Sequence, residues 1–149
     1  MKEYKLKPEL VPEACWKSNL RAWLSPQIWD IVRKDAYKRA GYRCRICGAK
    51  GRMEAHERWS YNDALALQTL EDVLALCHAC HEVVHIGRTQ LVGRGADAMA
   101  HFMRVNGCSQ SDYHAELARV NTEYLKRNKI EEWTTDISWL KNRFLGEEQ

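Results

Sequence analysis

The stretch LCHACHEVVHIG, residues 76–87, brings two cysteines and three histidines close together in the sequence. Cys77 and Cys80 are two residues apart, Cys44 and Cys47 repeat that spacing, and 29 residues lie between the two pairs. The short spacing within each pair lets both of its sulfurs reach one zinc ion at about 2.3 Å. Zinc favours four ligands in a tetrahedron. The sequence therefore predicts one structural zinc site with four cysteine ligands.

Two other interpretations of the four cysteines stay open. They could be redox dithiols, although no βαβ pattern surrounds them, or buried thiols that share a spacing by coincidence. Cys15 and Cys108 stand alone in the sequence. We expect these two to be small buried apolar residues, which is the usual fate of an unpaired cysteine.

The histidines that surround the second cysteine pair form a separate pattern. His81 and His85 are four residues apart on a predicted helix, so their imidazoles share one face. His56 lies on a predicted hairpin from which it could face that helix. Together the three imidazoles predict a second metal site, whereas we expect His78 to lie at the surface.

Composition and charge limit the class of protein. The chain of 149 residues suits one domain, and its 45% hydrophobic and 29% charged residues are typical of a soluble globular protein. No secretory or membrane segment is visible, which predicts a cytoplasmic protein in which disulfides are uncommon. Nine basic residues against three acids lie between Arg33 and Arg58, although the whole chain carries only +3. This patch indicates either a phosphate-binding surface or an ordinary solvated face.

The chain falls into three predicted segments within an α+β fold. Residues 1–41 are helical, and one helix begins at Ser25 and Pro26 and ends at Gly41. Residues 42–95 form the zinc-binding core, with GRMEAHERW as a short hairpin and HACHEVVHIG as a short helix closed by Gly87. The stretch SYNDALALQTLEDVLAL could be a buried strand or a helical turn. Residues 96–149 are helical again, and TTDISWLKNRFLG is predicted to end at Gly146.

Residues 42–88 resemble the HNH, or ββα-metal, nucleases of the type that carries a four-cysteine zinc site. The motifs that carry the resemblance are CRICG, MEAHERW, EDVLALCHACH and the trailing VVH. The pattern CWKSNLR and the helical tail are also similar to bacterial and phage proteins of this family. The resemblance implies a ββα-metal core between N-terminal and C-terminal helices. It implies His56 as general base, Asp72 at the usual Asn position, and His81 and His85 as ligands of the catalytic metal.

One departure from the family pattern leaves three alternatives. The residue before the general base is usually a metal ligand, and here it is Ala55. In the first alternative, Glu57 points to the same side of the strand as position 55 and supplies the missing carboxylate. In the second, the register slips by one, so that His56 is a ligand with His81 and His85, and Glu57 is the base. In the third, catalysis has been lost.

The activity implied by the resemblance is hydrolysis of DNA phosphodiester bonds. A catalytic Mg²⁺, Mn²⁺, Ni²⁺ or Zn²⁺ would act as a Lewis acid, and His56, oriented by a backbone carbonyl or Asp72, would take a proton from water. The residues expected to hold the phosphate backbone are Arg43, Arg45, Lys50, Arg52 and Arg58. The alternative is a catalytically silent zinc-stapled module that binds nucleic acid or a partner protein. The terminal helices could contact such a partner or form a homodimer.

Overall fold

A computed structural model describes residues 3–145, in which helices surround a small sheet. Seven α-helices are found in this range: α1 Leu20–Trp23, α2 Pro26–Arg39, α3 His78–Val84, α4 Ile86–Leu91, α5 Gly95–Asn106, α6 Gln110–Arg127 and α7 Ser138–Phe144. The strands are β1 Glu54–Asn62, β2 Leu67–Leu76 and β3 Thr134–Asp136, and a 3₁₀ turn spans Glu13–Cys15. The predicted α+β class is confirmed.

The centre of the fold is the hairpin of β1 and β2. The two strands are antiparallel, with His56 opposite Leu74 and Glu57 opposite Val73, and their register shifts after Arg58. The predicted hairpin GRMEAHERW contributes only the first of these strands. The ambiguous stretch after it contains the second strand, whose last four residues are all buried.

Alternation along the strands gives the hairpin two buried faces with different partners. Leu74 packs on one face with Val83 of α3 and Phe102 of α5. Val73 packs on the other face with Val32 of α2 and with Leu140 of α7. Since side chains alternate along a strand, His56 points toward the α3 side and Glu57 toward the α2 side. The predicted site residues His56 and Glu57 therefore lie on opposite faces of β1.

The helix ends follow local sequence signals, with one exception. The Ser25 side chain accepts a hydrogen bond from the backbone N–H of Ile28, as predicted for the start of α2. Gly107 ends α5 with a φ of 62°, a conformation that favours glycine. The prediction that Gly87 closes the short helix is wrong. Helix α3 ends at Val84 with His85 as its C-cap, and Gly87 lies inside α4.

Both ends of the chain pack onto the central core. Leu6 belongs to the same apolar cluster as Val83 and Phe102, and β3 adds to the hairpin as a parallel partner of β2. Contacts therefore cross the predicted boundaries at 41/42 and 95/96. The predicted helix end at Gly146 lies outside the described residues. No helix within residues 3–145 combines the length and the apolar character needed to span a membrane.

Helix α7 is tied to α2 by an ion-paired network around Asp35. The Asp35 carboxylate accepts hydrogen bonds from Arg143 at 2.7 Å and from Arg39 at 2.8 Å. The hydrogen bond from Arg143 is the largest cause that lowers the Asp35 pKa to about 2. The unfolded-state pKa is about 3.9, so this contribution to stability is present above pH 4 and is lost as the pH falls through 2.

We predict that Asp35→Asn lowers the free energy of unfolding by about 1 kcal/mol at pH 7, because solvent screens part of the interaction. The difference from the wild type should shrink between pH 4 and pH 2, as measured by urea unfolding. Asp30→Asn is the comparison and should have a smaller effect, because among the described residues the Asp30 carboxylate, which is more exposed than that of Asp35, pairs with Arg33 and Lys34 of its own helix. A difference that stays constant across this pH range would contradict the prediction.

Candidate metal centres

The four paired cysteines converge where β2 meets α3. Their sulfurs all lie within 4.8 Å of one another, and the sulfurs of Cys47 and Cys77 are 3.6 Å apart. A tetrahedron with zinc–sulfur bonds of about 2.3 Å has sulfur–sulfur edges of about 3.8 Å. The cysteine arrangement therefore fits one zinc ion, and the predicted four-cysteine cluster is present.

The local backbone positions each pair of sulfurs. In the first pair, Gly48 adopts a φ of 79° and its N–H donates to the carbonyl of Cys44. The N–H of Ile46 donates to the Cys44 sulfur at 3.4 Å. In the second pair, the Cys77 sulfur caps α3 by accepting from the N–H of Cys80 at 3.4 Å. These N–H groups offset negative charge on thiolate ligands.

A histidine outside the predicted site contacts the cysteine cluster. Nε2 of His101 lies 3.2 Å from the Cys80 sulfur, and Arg104 contacts Nδ1 of the same ring at 3.0 Å. A guanidinium can only donate, so Nδ1 is the acceptor and Nε2 carries the proton. His101 therefore donates an N–H···S hydrogen bond to Cys80.

Proximity prevents the four sulfurs from ionising together in the absence of a cation. The hydrogen bond from the Cys80 thiol is the largest cause that lowers the pKa of Cys44, to about 4. The same hydrogen bond, together with burial, raises the pKa of Cys80. Burial raises the pKa of Cys77 to about 11. A divalent ion would compensate this repulsion, because coordination deprotonates a thiol outright.

The structure also brings His56, His81 and His85 together. One ring nitrogen of each lies within 4.8 Å of the others. The ring centroids of His81 and His85 are 4.6 Å apart, and those of His56 lie 5.5 and 5.2 Å from these two. Strand β1 supplies the first ring, and the His81 and His85 rings come from one face and the end of α3. These three histidines could hold a metal ion.

Two glutamates select which nitrogens of this cluster face a cation. Glu9 contacts Nε2 of His56 at 2.8 Å, and Glu54 contacts Nδ1 of His81 at 2.7 Å. An ionised carboxylate only accepts, so these two nitrogens carry protons and the opposite nitrogens carry lone pairs. Carboxylate–histidine pairs of this kind orient the ligands of metal sites.

One buried atom supports this interpretation of the histidine cluster. Nδ1 of His56 is inaccessible to solvent and has no hydrogen-bond partner within the described part of the chain. A buried polar atom left unpaired is costly and needs an explanation. A divalent ion bound by this lone pair and by His81 and His85 would provide one, so the residues present fit a metal.

The electrostatics keep two of the imidazoles neutral at pH 7. Burial lowers the pKa of His81, and the hydrogen bond to Glu54 opposes only part of that effect. His85 is the most exposed of the three, yet burial and the charges of His56 and His81 lower its pKa to about 4. Burial is the largest single effect on Glu9 and raises its pKa, but the hydrogen bond from His56 and the nearby positive charges together outweigh it, and the pKa is lowered. Neutral imidazole is the form that binds metals.

The histidine cluster lies in a cavity of about 570 Å³. Its walls come from the N-terminal segment, β1, α3 and α6, and the lining includes Glu9, Trp16, Arg119 and all three histidines. Arg119 is paired with Glu116 and Glu123 of its own helix. The metal-binding nitrogens would therefore face a partly open cavity large enough for a small ligand.

Two predicted catalytic carboxylates lie away from this cluster. Asp72 accepts hydrogen bonds from Arg39 at 3.3 Å and from the N–H of Val73 at 2.7 Å. The sequence predicts that a backbone carbonyl or Asp72 orients His56, and the structure has Glu9 at that position instead. Glu57 accepts from the N–H of Leu20 at 2.8 Å, on the face of β1 opposite His56. It lines the cavity but does not supply a ligand in place of Ala55.

The predicted basic residues divide into two groups. Arg43, Arg45, Lys50 and Arg52 are exposed around the first cysteine pair. Arg58 is different, because it lies 3.3 Å from the Glu9 carboxylate that holds His56. None of the five lines the histidine cavity.

The sequence reasoning missed Glu9, Glu54 and His101. The sequence could have indicated Glu54 as a neighbour of the histidine cluster, because it precedes His56 by two positions and so lies on the same face of the strand. Glu9 is 47 residues from His56, and His101 is 21 residues from Cys80, with no motif linking either pair. Comparison of the chain with protein-family models, curated proteins and solved structures finds no match.

We predict that Cys44→Ser prevents zinc binding at the cysteine cluster and lowers the free energy of unfolding of the zinc-loaded chain by roughly 3–5 kcal/mol, because metal binding would contribute folding energy. Thermal unfolding and zinc analysis measure both effects. Cys15→Ser, at a cysteine that is buried outside the cluster, should cost only about 1 kcal/mol and leave the zinc content unchanged. An unchanged melting curve for Cys44→Ser would exclude the structural site.

A second prediction concerns the carboxylate behind His56. Glu9→Gln should weaken metal binding at the histidine cluster roughly 10–100-fold and leave the zinc of the cysteine cluster in place, because the amide orients the imidazole less strongly. Chelator competition or calorimetry measures the affinity. Glu13→Gln is the matched control, since Glu13 is exposed and does not line the cavity. Equal affinities for wild type and Glu9→Gln would contradict the assignment.

Proposed function

We propose that the chain is a metal-dependent nuclease of the HNH type that hydrolyses phosphodiester bonds within DNA. The observation that carries the proposal is the cluster of His56, His81 and His85, with one ligand nitrogen of each within 4.8 Å. Three protein ligands that leave coordination positions open are typical of catalytic metal sites, whereas a complete tetrathiolate is typical of a structural one.

The order of elements around the two clusters supports the proposal. A hairpin strand supplies one histidine, the second strand leads into the second cysteine pair, and the helix after it supplies the other two histidines. This is the arrangement that the resemblance to HNH proteins implies for residues 42–88. The resemblance rests on the motifs CRICG, MEAHERW and EDVLALCHACH alone.

The geometry favours His56 as a ligand over His56 as a general base. Glu9 holds its Nε2, and its Nδ1 is turned into a buried position that excludes easy exchange of protons with water. This corresponds to the alternative in which the register of the family pattern slips by one residue. A divalent ion held there would act as a Lewis acid toward the phosphodiester and lower the pKa of a bound water.

The other residues of the site have positioning roles in this proposal. Glu9 and Glu54 fix the orientation of His56 and His81. Glu57 is the candidate base of the slipped register, and burial raises its pKa. Its hydrogen bond to Leu20 favours a structural role at the start of α1 instead.

A catalytically silent module that binds nucleic acid or a protein is the second candidate. The observation that favours it is Ala55, for which no described side chain supplies a substitute ligand. The cytoplasmic location is part of the proposal under either candidate, because a reducing compartment keeps cysteines available as metal ligands.

We predict internal cleavage of circular DNA by the purified protein in the presence of Mg²⁺, Mn²⁺, Ni²⁺ or Zn²⁺. Supercoiled plasmid and circular single-stranded DNA are both used, because a circle reports internal cuts. His56→Ala and His81→Ala should each lower the cleavage rate more than roughly 100-fold. Loss of the hydrogen-bond partner of a metal ligand typically lowers metal affinity or activity by roughly 10–100-fold, and loss of the ligand itself should lower it further.

His114→Ala is the matched control for these variants. His114 is exposed on α6 and lies outside both metal clusters, so its loss should leave the rate unchanged. Metal analysis provides a second readout, with one equivalent per chain lost in His81→Ala and the zinc of the cysteine cluster retained. The proposed nuclease activity would be rejected if cleavage persists in both His56→Ala and His81→Ala, or if the wild type cleaves DNA with none of the four ions.

A further inference from the structure

We infer that the histidine site takes a single strand of nucleic acid, which passes the three histidines through two adjoining cavities. The inference rests on the proposed function, because it names the substrate class of that site. The alternative is that a duplex binds across an open surface, where the exposed basic residues around the first cysteine pair would contact its phosphates.

The first step is the depth of His56 within the cluster. His56 is only 3% exposed, His81 is half-buried and His85 is exposed, and the N-terminal segment and α6 contribute to the walls of the partly open cavity. The cavity volume of about 570 Å³ is in the range of pockets that bury a small molecule. A single nucleotide can enter such a space, whereas a paired duplex would have to open first.

The second step is that the space continues past the histidines. A wider cavity of about 1020 Å³ shares Glu9, Trp16 and His85 with the first one. His85 therefore stands between two compartments. A polynucleotide cut internally needs room for nucleotides on both sides of the scissile phosphate, and the paired cavities supply that room.

The third step is an exposed aromatic ring at the junction. Trp16 lines both cavities and is 60% exposed, and its Nε1–H donates to the carbonyl of Val11 at 2.8 Å. The hydrogen bond fixes the indole while leaving most of its surface accessible. Nucleic-acid bases stack on such rings in proteins that bind single strands.

The fourth step is a pair of available cations, one in each compartment. Arg21 lines the first cavity and Arg88 lines the second, and both are exposed. Neither takes part in an ion pair between described residues, whereas Arg58, Arg119 and Arg127 are all paired. Unpaired guanidinium groups on both sides of the metal could hold the phosphates that flank the scissile bond.

The test is equilibrium binding of fluorescent, nuclease-resistant phosphorothioate oligonucleotides to the full chain, followed by anisotropy. The probes are a DNA strand, an RNA strand of the same sequence, and the DNA duplex. We expect at least one strand to bind more than about 10-fold tighter than the duplex, as stacking alone can provide. The tighter of the two strands identifies the substrate.

Matched variants locate the binding path. Two variants should each weaken strand binding about 10-fold: the single variant Trp16→Leu, and the double variant with Arg21→Ala and Arg88→Ala. Trp23→Leu, at a 47% exposed indole that lines neither cavity, should have no effect. Arg45→Ala combined with Arg52→Ala should weaken strand binding less than the cavity variants do, because these two residues lie outside both cavities. Circular dichroism and zinc content check that each variant is folded.

The outcomes separate this inference from the proposed function. The inference would be overturned, even if circular DNA is cleaved, if the duplex binds as tightly as the strands. It would also be overturned if strand binding is lost when Arg45 and Arg52 are replaced by alanine but is retained when Arg21 and Arg88 are replaced. Strand binding that follows the cavity variants, without any cleavage, would support the binding path and reject the nuclease.

Discussion

The convergence of four sulfurs at the junction of β2 and α3 is the constraint on which the rest of the site depends. Cys77 caps α3 and also contacts Cys47 across the cluster, so one zinc ion would fix the start of the helix to the first cysteine pair. The N–H of Arg45 donates to the carbonyl of Ala75, which ties the same loop to β2. The direction of α3 relative to the hairpin is thereby set, and His81 and His85 are brought opposite His56 on β1.

A second layer of contacts converts this proximity into a chemically defined site. Glu9 and Glu54 hold one nitrogen of His56 and of His81, and the pKa values of His81 and His85 are both lowered. Glu9 belongs to a segment that is itself anchored, because its N–H donates to the carbonyl of Val84 at the end of α3. The N-terminal residues thus complete the centre of the molecule, and they also contribute to the walls of its partly open cavity.

The sequence was sufficient for the features that depend on spacing along the chain. The two cysteine pairs, the i,i+4 histidines and the Ser25 cap each follow from local geometry. Contacts between distant segments were out of reach, because no periodicity encodes them. Glu9 beside His56 and β3 beside β2 are examples. Asp72 was misplaced because the family pattern fixes a position in the sequence, whereas the direction of the side chain is set by Arg39. The HNH resemblance and the DNA substrate are proposals.

The central claim is that one scaffold holds a sulfur-ligated ion and a separate nitrogen-ligated ion. Zinc-edge X-ray absorption on the zinc-saturated chain, compared with the His81→Ala variant, tests it most directly. The account predicts a sulfur shell near 2.3 Å together with a nitrogen shell at about 2.0–2.1 Å, and loss of the nitrogen shell alone in the variant. A wild-type spectrum with sulfur as the sole first shell, or one without the sulfur shell, would contradict it.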